Sequence, residues 1–489
     1  MNLPSLPVFR WGQPYESLDQ LELSACGDGR KLLAVSQANA GLIRRDLAKV
    51  GAAFEVLQAL SCEKLLAICA KAGALFMHEA LPLGNGVRQS PEEFVECLSA
   101  TGGLPQVMVR RNMAKIHQVF TEMPVILKGL TRGLDLRVLD AGHGEQAGVP
   151  VSFFPATQAL GVVLPSNSPG VNSLWMPALA LKIPVLLKPG REDPWTPWRI
   201  VQAFLAAGAP AEAFGFYPTG HEGAGAILQG CGRALLFGDE STTAPYASNP
   251  AIQIHGPGRS KVLIGADEIE RWTEHLDVLV ESILANGGRS CINASAIVVP
   301  AHGREIAAAL ALRLGPLGPC AATDESAQLA GFANPRMAES IEAVLEEGLR
   351  TPGAEEATAA HRQGPRKVEK DGITFLRPTV IRCGSFAHPL ANREFLFPYA
   401  SVVEIPQERM LEQIGPSLVV TAITRDPKFI RQLLASPLIG RLNLGALPTT
   451  RVSWDQPHEG NLFEFLYRRR AIQSAHNASR SANNANPRE

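Results

Sequence analysis

Between residues 157 and 239, short fully apolar runs alternate with longer amphipathic ones, and this alternation limits the chain's folds more than any other feature. The runs ALGVVLPS, IPVLLKPG, AFGFYPTG and RALLFGD read as buried strands. PGVNSLWMPALALK, PWTPWRIVQAFLAAGAP and GAGAILQGC read as the helices that follow the first three. Strands separated by helices of this length build a parallel α/β sheet, whose ligands sit at the carboxyl ends of the strands.

A second α/β stretch runs from about residue 262 to about 445. It holds VLIGAD, LDVLVESILANG, SAIVVP, AHGREIAAALALRLG, FLRPTVI, ASVVEI and LVVTAIT. Residues 1–30, with Pro, Gly and Trp interspersed, read as irregular, and Lys31 to Met123 as mainly helical. SPEEFVECLSA opens like a capped helix, with Ser90 before Pro91 and acidic residues in the first turn. LDLRVLDAG and VPVSFFPAT, flanking HGEQAG, predict a β-hairpin. The charged span 352–370 predicts a surface loop or exposed helix, and the Ser/Asn/Ala-rich residues 474–489 a disordered tail.

A chain of 489 residues exceeds one core, so two large domains are expected. The formal net charge of −1 excludes a general nucleic-acid or anionic-membrane surface. No run reaches the roughly 18 apolar residues of a spanning helix. The eight cysteines form no CxxC pair and no zinc-spaced cluster, so no metal site is expected. With no basic-then-apolar leader at the N-terminus, a reducing cytoplasm is the expected location.

One cysteine stands apart. In NGGRSCINASAIVVP, Cys291 follows a Gly-rich turn and precedes a β-branched run. A free cysteine is by default a small buried hydrophobe. On such a turn, however, a thiol is accessible and its own N–H can serve an oxyanion.

The order of motifs around it resembles the aldehyde dehydrogenase superfamily over roughly residues 150–472. NGGRSC matches the nucleophile turn at Cys291, and PSNSP the oxyanion-holding Asn at Asn167. VLLKPG matches the strand whose Lys reaches the adenosine ribose, here Lys188. GAGAIL and LLFGDEST match the pyrophosphate helix and the strand after it, with Gly225 and Gly238. REFLFPYASV supplies Glu394 as the contact to the nicotinamide ribose. The resemblance implies an α/β fold: a Rossmann-type cofactor domain, an α/β catalytic domain and a small β oligomerisation element. It places the dinucleotide-binding domain in 1–132 and 156–258, the catalytic domain in 259–445, and oligomerisation strands in 133–155 and 446–473. A homodimer or homotetramer is implied by resemblance only.

Two departures refine the expectation. Hydrolytic members carry a Glu that activates water, in a Glu-Leu-Gly-Gly-Lys segment. Here the segment is HGPGRSK, with His255 in that position. Water needs a general base, whereas a thiol such as coenzyme A needs one much less. This favours the CoA-acylating branch, the acyl-CoA reductases, with coenzyme A as co-substrate and an acyl-CoA or aldehyde as substrate. The alternative is hydrolytic oxidation with His255 as base, since imidazole is competent near pH 7. His255 as a packed loop residue also stays open. Second, NAD-preferring members carry a Glu three residues after the Lys, where this chain has Arg191. A guanidinium pairs with a 2′-phosphate, which favours NADP, with NAD possible. The alternative has Arg191 in solvent and Glu192 on the ribose.

Glu240 and Ser241 follow the fourth strand and are candidates for the dinucleotide site. GPGRSK lacks the spacing of a phosphate-binding loop. His458 and Glu459 are candidates for the site mouth, and Arg468–Arg470 reads as a solvated or interface edge. The rival to an enzyme is a non-catalytic dinucleotide-binding protein. The joint presence of Cys291, Asn167, Lys188 and Glu394 argues against it.

Overall fold

The computed structural model describes residues 3–473. Two seven-stranded sheets organise it. In the first, the order is Ile252–His255, Arg233–Phe237, Leu160–Val163, Val185–Lys188, Phe214–Phe216, Val8–Arg10 and Gln13–Tyr15. Its first five strands are parallel. Val185, Leu186 and Leu187 are each at most 1% exposed, as helices on both faces require. The register pairs Val163 with Lys188 and with Leu236, Leu187 with Phe216, and Phe237 with His255. The carboxyl ends therefore line up along one edge, and the loops leaving them converge there.

The second sheet runs Ala354–Glu356, Thr379–Cys383, Tyr399–Glu404, Ala294–Val299, Ser260–Ile264, Ser417–Ile423 and Ile439–Leu444. All neighbours are parallel except the first pair. A smaller sheet pairs His143–Gln146 with Val149–Pro155, and that strand with Tyr467–Arg470. No helix among the described residues is long and apolar enough to cross a membrane.

The N-terminal region differs from its sequence reading. Residues 5–36 form five short strands rather than an irregular lead into helix. Their brevity, with Pro4, Pro7 and Pro14 as punctuation, hides any period of two. Val8–Arg10 pairs antiparallel with Phe214–Phe216, so the chain's start closes the edge of the first sheet. Helices follow from Ala40, and Ser90 forms a full capping box with Glu93. Arg199, 2% exposed, donates to the carbonyls of Phe76, Glu79 and Gln89 and ties these helices to the sheet. Its charge is hydrogen-bonded rather than ion-paired, and burial lowers its pKa to about 10.

Three local differences have physical causes. LDLRVLDAG supplies the helix Arg137–Ala141, ended by Gly142 at φ 76°, so the hairpin's first arm begins only at His143. PGVNSLWMPALALK breaks into the 3₁₀ turn Pro169–Leu174 and the short helix Pro177–Ala180, because each proline removes a helical donor. Residues 352–370 include the strands Ala354–Glu356 and Lys367–Lys370. The pairs Arg362–Glu356 and Arg366–Glu356 let this charged segment pack. The tail 474–489 lies outside the described residues.

Candidate active site

Two adjoining cavities occupy the carboxyl edge of the first sheet. One, of about 440 Å³, is lined by Asn167, Gly238, His255, Cys291 and Glu394 among others. The other, of about 770 Å³, is lined by Lys188, Arg191, Gly225 and Ser241. Phe237 and Thr242 line both. Nine of the residues singled out by sequence thus line these two adjoining cavities, whereas Glu240, His458 and Glu459 line neither.

Cys291 is placed by a turn of three successive left-handed residues, Asn286, Gly287 and Gly288, at φ 54°, 64° and 68°. A side chain at Gly288 would run into the Phe397–Pro398 backbone, so only glycine fits. Gly258 has the same role from the other side: a Cβ there would collide with the Cys291 carbonyl. That carbonyl also accepts from Ser260 Oγ at 2.8 Å. The GPGRSK segment therefore buttresses the Cys291 turn. The Cys291 thiol is pushed well above its ordinary pKa by burial, and by the nearby carboxylates of Glu459 and Glu394.

Asn167 donates from Nδ2 to the Arg289 carbonyl at 2.8 Å. That contact needs an amide N–H, which fixes the orientation of the side chain. The second N–H of the amide remains for a ligand in the cavity.

His255 ends the edge strand Ile252–His255. Its ring stacks on Phe237, centroids 4.4 Å apart and planes 14° apart. Its Nδ1 is 3.1 Å from Glu459 Oε2, and the two side chains are 5% and 6% exposed. Its Nε2 is buried with no partner among the described residues. Glu459 Oε1 stands 3.7 Å from Cys291 Sγ and 3.8 Å from His458 Nε2. Burial opposes ionisation of Glu459, but the His255 hydrogen bond and neighbouring positive charge outweigh it and hold the pKa at about 2. His458 accepts from Arg441 at 2.6 Å, and burial lowers its pKa to about 3. Glu394 accepts from the Arg259 N–H at 2.6 Å, while burial raises its pKa to about 7.

Not every candidate fits as expected. Gly225 is the fifth residue of the helix His221–Gly230, so the N-terminus that meets the cavity is at Gly220, one turn earlier. A Cβ on Gly225 would come no closer to protein than 3.9 Å, to Tyr246 Oη, and would project into the cavity. Ser241 Oγ donates to Asp239 Oδ1 and is committed to that cap. Glu240 points outward and pairs with Arg259. Glu192 lines the Cys291 cavity instead of the one holding Arg191.

The sequence reading missed Lys115, Arg441, His221 and Tyr246. Lys115 lies on the helix Gln106–Thr121, and its charge acts on Glu459 and Cys291. Asn112 and Lys115, three residues apart, interrupt the apolar stripe running from Met108 to Val119. That polar break was the available signal.

Solved structures with this fold include aldehyde dehydrogenases. One from Pseudomonas aeruginosa superposes with a TM-score of 0.79 at 16% identity, covering 96% of this chain and 97% of its own. An indole-3-acetaldehyde dehydrogenase in complex with NAD+ gives 0.77 at 17% identity, covering 96% of each chain. The aldehyde dehydrogenase family model matches residues 19–414. The chain belongs to the aldehyde dehydrogenase family, and is an NAD(P)-dependent oxidoreductase of that family. It is 25% identical over 352 residues to the 5-carboxymethyl-2-hydroxymuconate semialdehyde dehydrogenase of Escherichia coli, covering 67% of this chain and 70% of that one. It is 27% identical over 273 residues to the aminoacetaldehyde dehydrogenase of Pseudomonas aeruginosa, about half of each chain (50% and 49%).

Proposed function

We propose that this enzyme oxidises an aldehyde to its carboxylic acid with NADP⁺, through a thioester on Cys291, with His255 and Glu459 together acting as the base that activates water. The observation that carries this reading is the buried His255–Glu459 pair, whose imidazole lines the Cys291 cavity. The case for coenzyme A rested on the loss of the carboxylate at position 255. The missing carboxylate is supplied instead from position 459, behind an imidazole whose other nitrogen is free. The named relatives are likewise aldehyde dehydrogenases.

The residues divide the work. The Cys291 thiol loses its proton, with Lys115 as the chain's own cation favouring the thiolate. The sulfur bonds to the aldehyde carbon, and the oxygen that gains the electron pair is held by Asn167 Nδ2–H and the Cys291 N–H. The bound cofactor supplies the acceptor for the hydride that leaves this carbon. Glu459 holds His255 with Nδ1 as the donor, leaving Nε2 basic. Nε2 takes a proton from water as the oxygen attacks the thioester, and the C–S bond breaks to return Cys291. Overall, aldehyde, water and NADP⁺ give acid, NADPH and a proton.

The cavity around Lys188 fits a dinucleotide. It lies at the strand ends and at a helix N-terminus, and Gly225 leaves room that a side chain would fill. Lys188, Arg191 and His221 line it, and no Asp or Glu does among the described residues. Cations without a carboxylate suit the 2′-phosphate of NADP⁺. The test is nicotinamide absorbance with an aldehyde panel, NADP⁺ or NAD⁺, with and without coenzyme A, beside Cys291→Ala. Acid formed without coenzyme A is expected. Turnover that requires coenzyme A would overturn the reading and restore the acylating one.

A further inference from the structure

We propose that the N-terminal three-stranded sheet is part of the cofactor site, and that Leu21, Val35 and Gln37 hold the adenine ring of the dinucleotide. This rests on the dinucleotide reading of the Lys188 cavity above. The sheet runs Ser5–Leu6, Lys31–Ser36 and Gln20–Ser24. In it Leu21 pairs directly with Val35 across the antiparallel ladder, so their side chains share one face. Gln37 follows two residues after Val35 and returns to that face. All three line the cavity of about 770 Å³ that also holds Lys188 and Arg191. The sheet contributes no charged side chain to that cavity among the described residues.

Backbone contacts tie this wall to the floor of the cavity. The Ala38 N–H donates to the Pro218 carbonyl at 2.8 Å, and Thr219 Oγ1 donates to the Ala38 carbonyl at 2.6 Å. The Gln37 N–H donates to the Asp19 carbonyl at 2.8 Å. Gln37 therefore stands beside Pro218–Gly220, the turn that opens the helix His221–Gly230. Its Nε2 donates to the Val35 carbonyl at 3.0 Å, which orients the amide. Its Oε1 and second amide N–H have no partner among the described residues.

The partition of charge selects which end of the ligand lies here. A dinucleotide whose nicotinamide meets Cys291 passes into the neighbouring cavity at Phe237 and Thr242, which line both. The adenosine end is then left in the Lys188 cavity. Its phosphates belong with Lys188, Arg191 and His221, and its flat uncharged base with the apolar wall. Leu21 and Val35 give that wall its face contact. Adenine presents an amino donor beside a ring-nitrogen acceptor, and the Gln37 amide offers the complementary acceptor and donor.

The experiment titrates NADPH and its hypoxanthine analogue, in which an oxygen replaces the 6-amino group, by nicotinamide fluorescence with no aldehyde present. Wild type is expected to bind NADPH about fivefold or more tightly than the analogue, as the loss of a hydrogen-bonded group requires. Gln37→Leu should bring the two affinities within about twofold of each other. Leu21→Ala should weaken both roughly fivefold and keep the preference. Competition by adenosine 2′,5′-bisphosphate should weaken in both variants. A wild type that binds the two cofactors equally would overturn the proposal before any variant is made. Lys188→Ala separates the remaining failures. Loss of NADPH in K188A, with the adenine preference intact in Q37L and affinity intact in L21A, would overturn the proposal and keep the dinucleotide in its cavity. Unchanged binding in K188A as well would remove the dinucleotide from this cavity, and the adenine wall with it.

Discussion

His255 and Glu459, 204 residues apart in sequence, meet at 3.1 Å with both side chains almost wholly buried. An imidazole so held has a fixed tautomer and a fixed plane, the plane set by Phe237 beneath it. Its replacement by asparagine keeps some polarity and removes the base. His255→Asn is expected to cut steady-state turnover by about 10²–10⁴-fold. The thioester should then accumulate on Cys291, visible by mass, and hydroxylamine should release it. Loss of the initial hydride transfer as well would show that His255 acts before the thioester forms.

Burial and two carboxylates keep Cys291 protonated. Alkylation by iodoacetamide in the absence of cofactor should therefore be slow at pH 7 and still rising at pH 9. A rate already at its plateau by pH 7 would contradict the geometry.

The proposed preference for NADP⁺ rests on the charge of the Lys188 cavity. Arg191→Glu should repel a 2′-phosphate, and the ratio of kcat/KM for NADP⁺ over NAD⁺ should fall about 10–100-fold, the equivalent of losing one charge-assisted contact. An unchanged ratio would mean that Arg191 faces solvent.

Glu394 carries a pH signature in stability. Its folded pKa is raised, from an ordinary 4.5 to about 7. The folded state therefore holds a proton that the unfolded state releases between pH 4.5 and 7. Stability from this group is full below pH 4.5 and falls as pH rises through 7. Glu394→Gln should raise the melting temperature at pH 8 and leave it nearly unchanged at pH 4.5. The gain should be of order 1–3 kcal/mol, reduced by the group's partial exposure. Calorimetry at the two pH values decides it, and equal shifts would remove the titration from the account.

Much of this was legible in the sequence because neighbours in the chain carry it. The strand ending at Lys188 and the turn before Cys291 are each spelled in fewer than ten residues, and backbone geometry does the rest. The strands of residues 5–36 were hidden because each is too short to show its period, and one, Val8–Arg10, is tied into the first sheet by Phe214–Phe216 far along the chain. The proposed base was half legible. His255 stood out as a departure, but its orientation depends on Glu459, which no local pattern connects to it.

The strand Tyr467–Arg470 pairs with Val149–Pro155 only eight residues after Glu459. The carboxylate proposed to orient the base is therefore tethered to a sheet begun three hundred residues earlier. Slack in that tether, made by weakening the pairing of Arg468 with Phe154, would misplace the proposed base while leaving the walls of both cavities as they are.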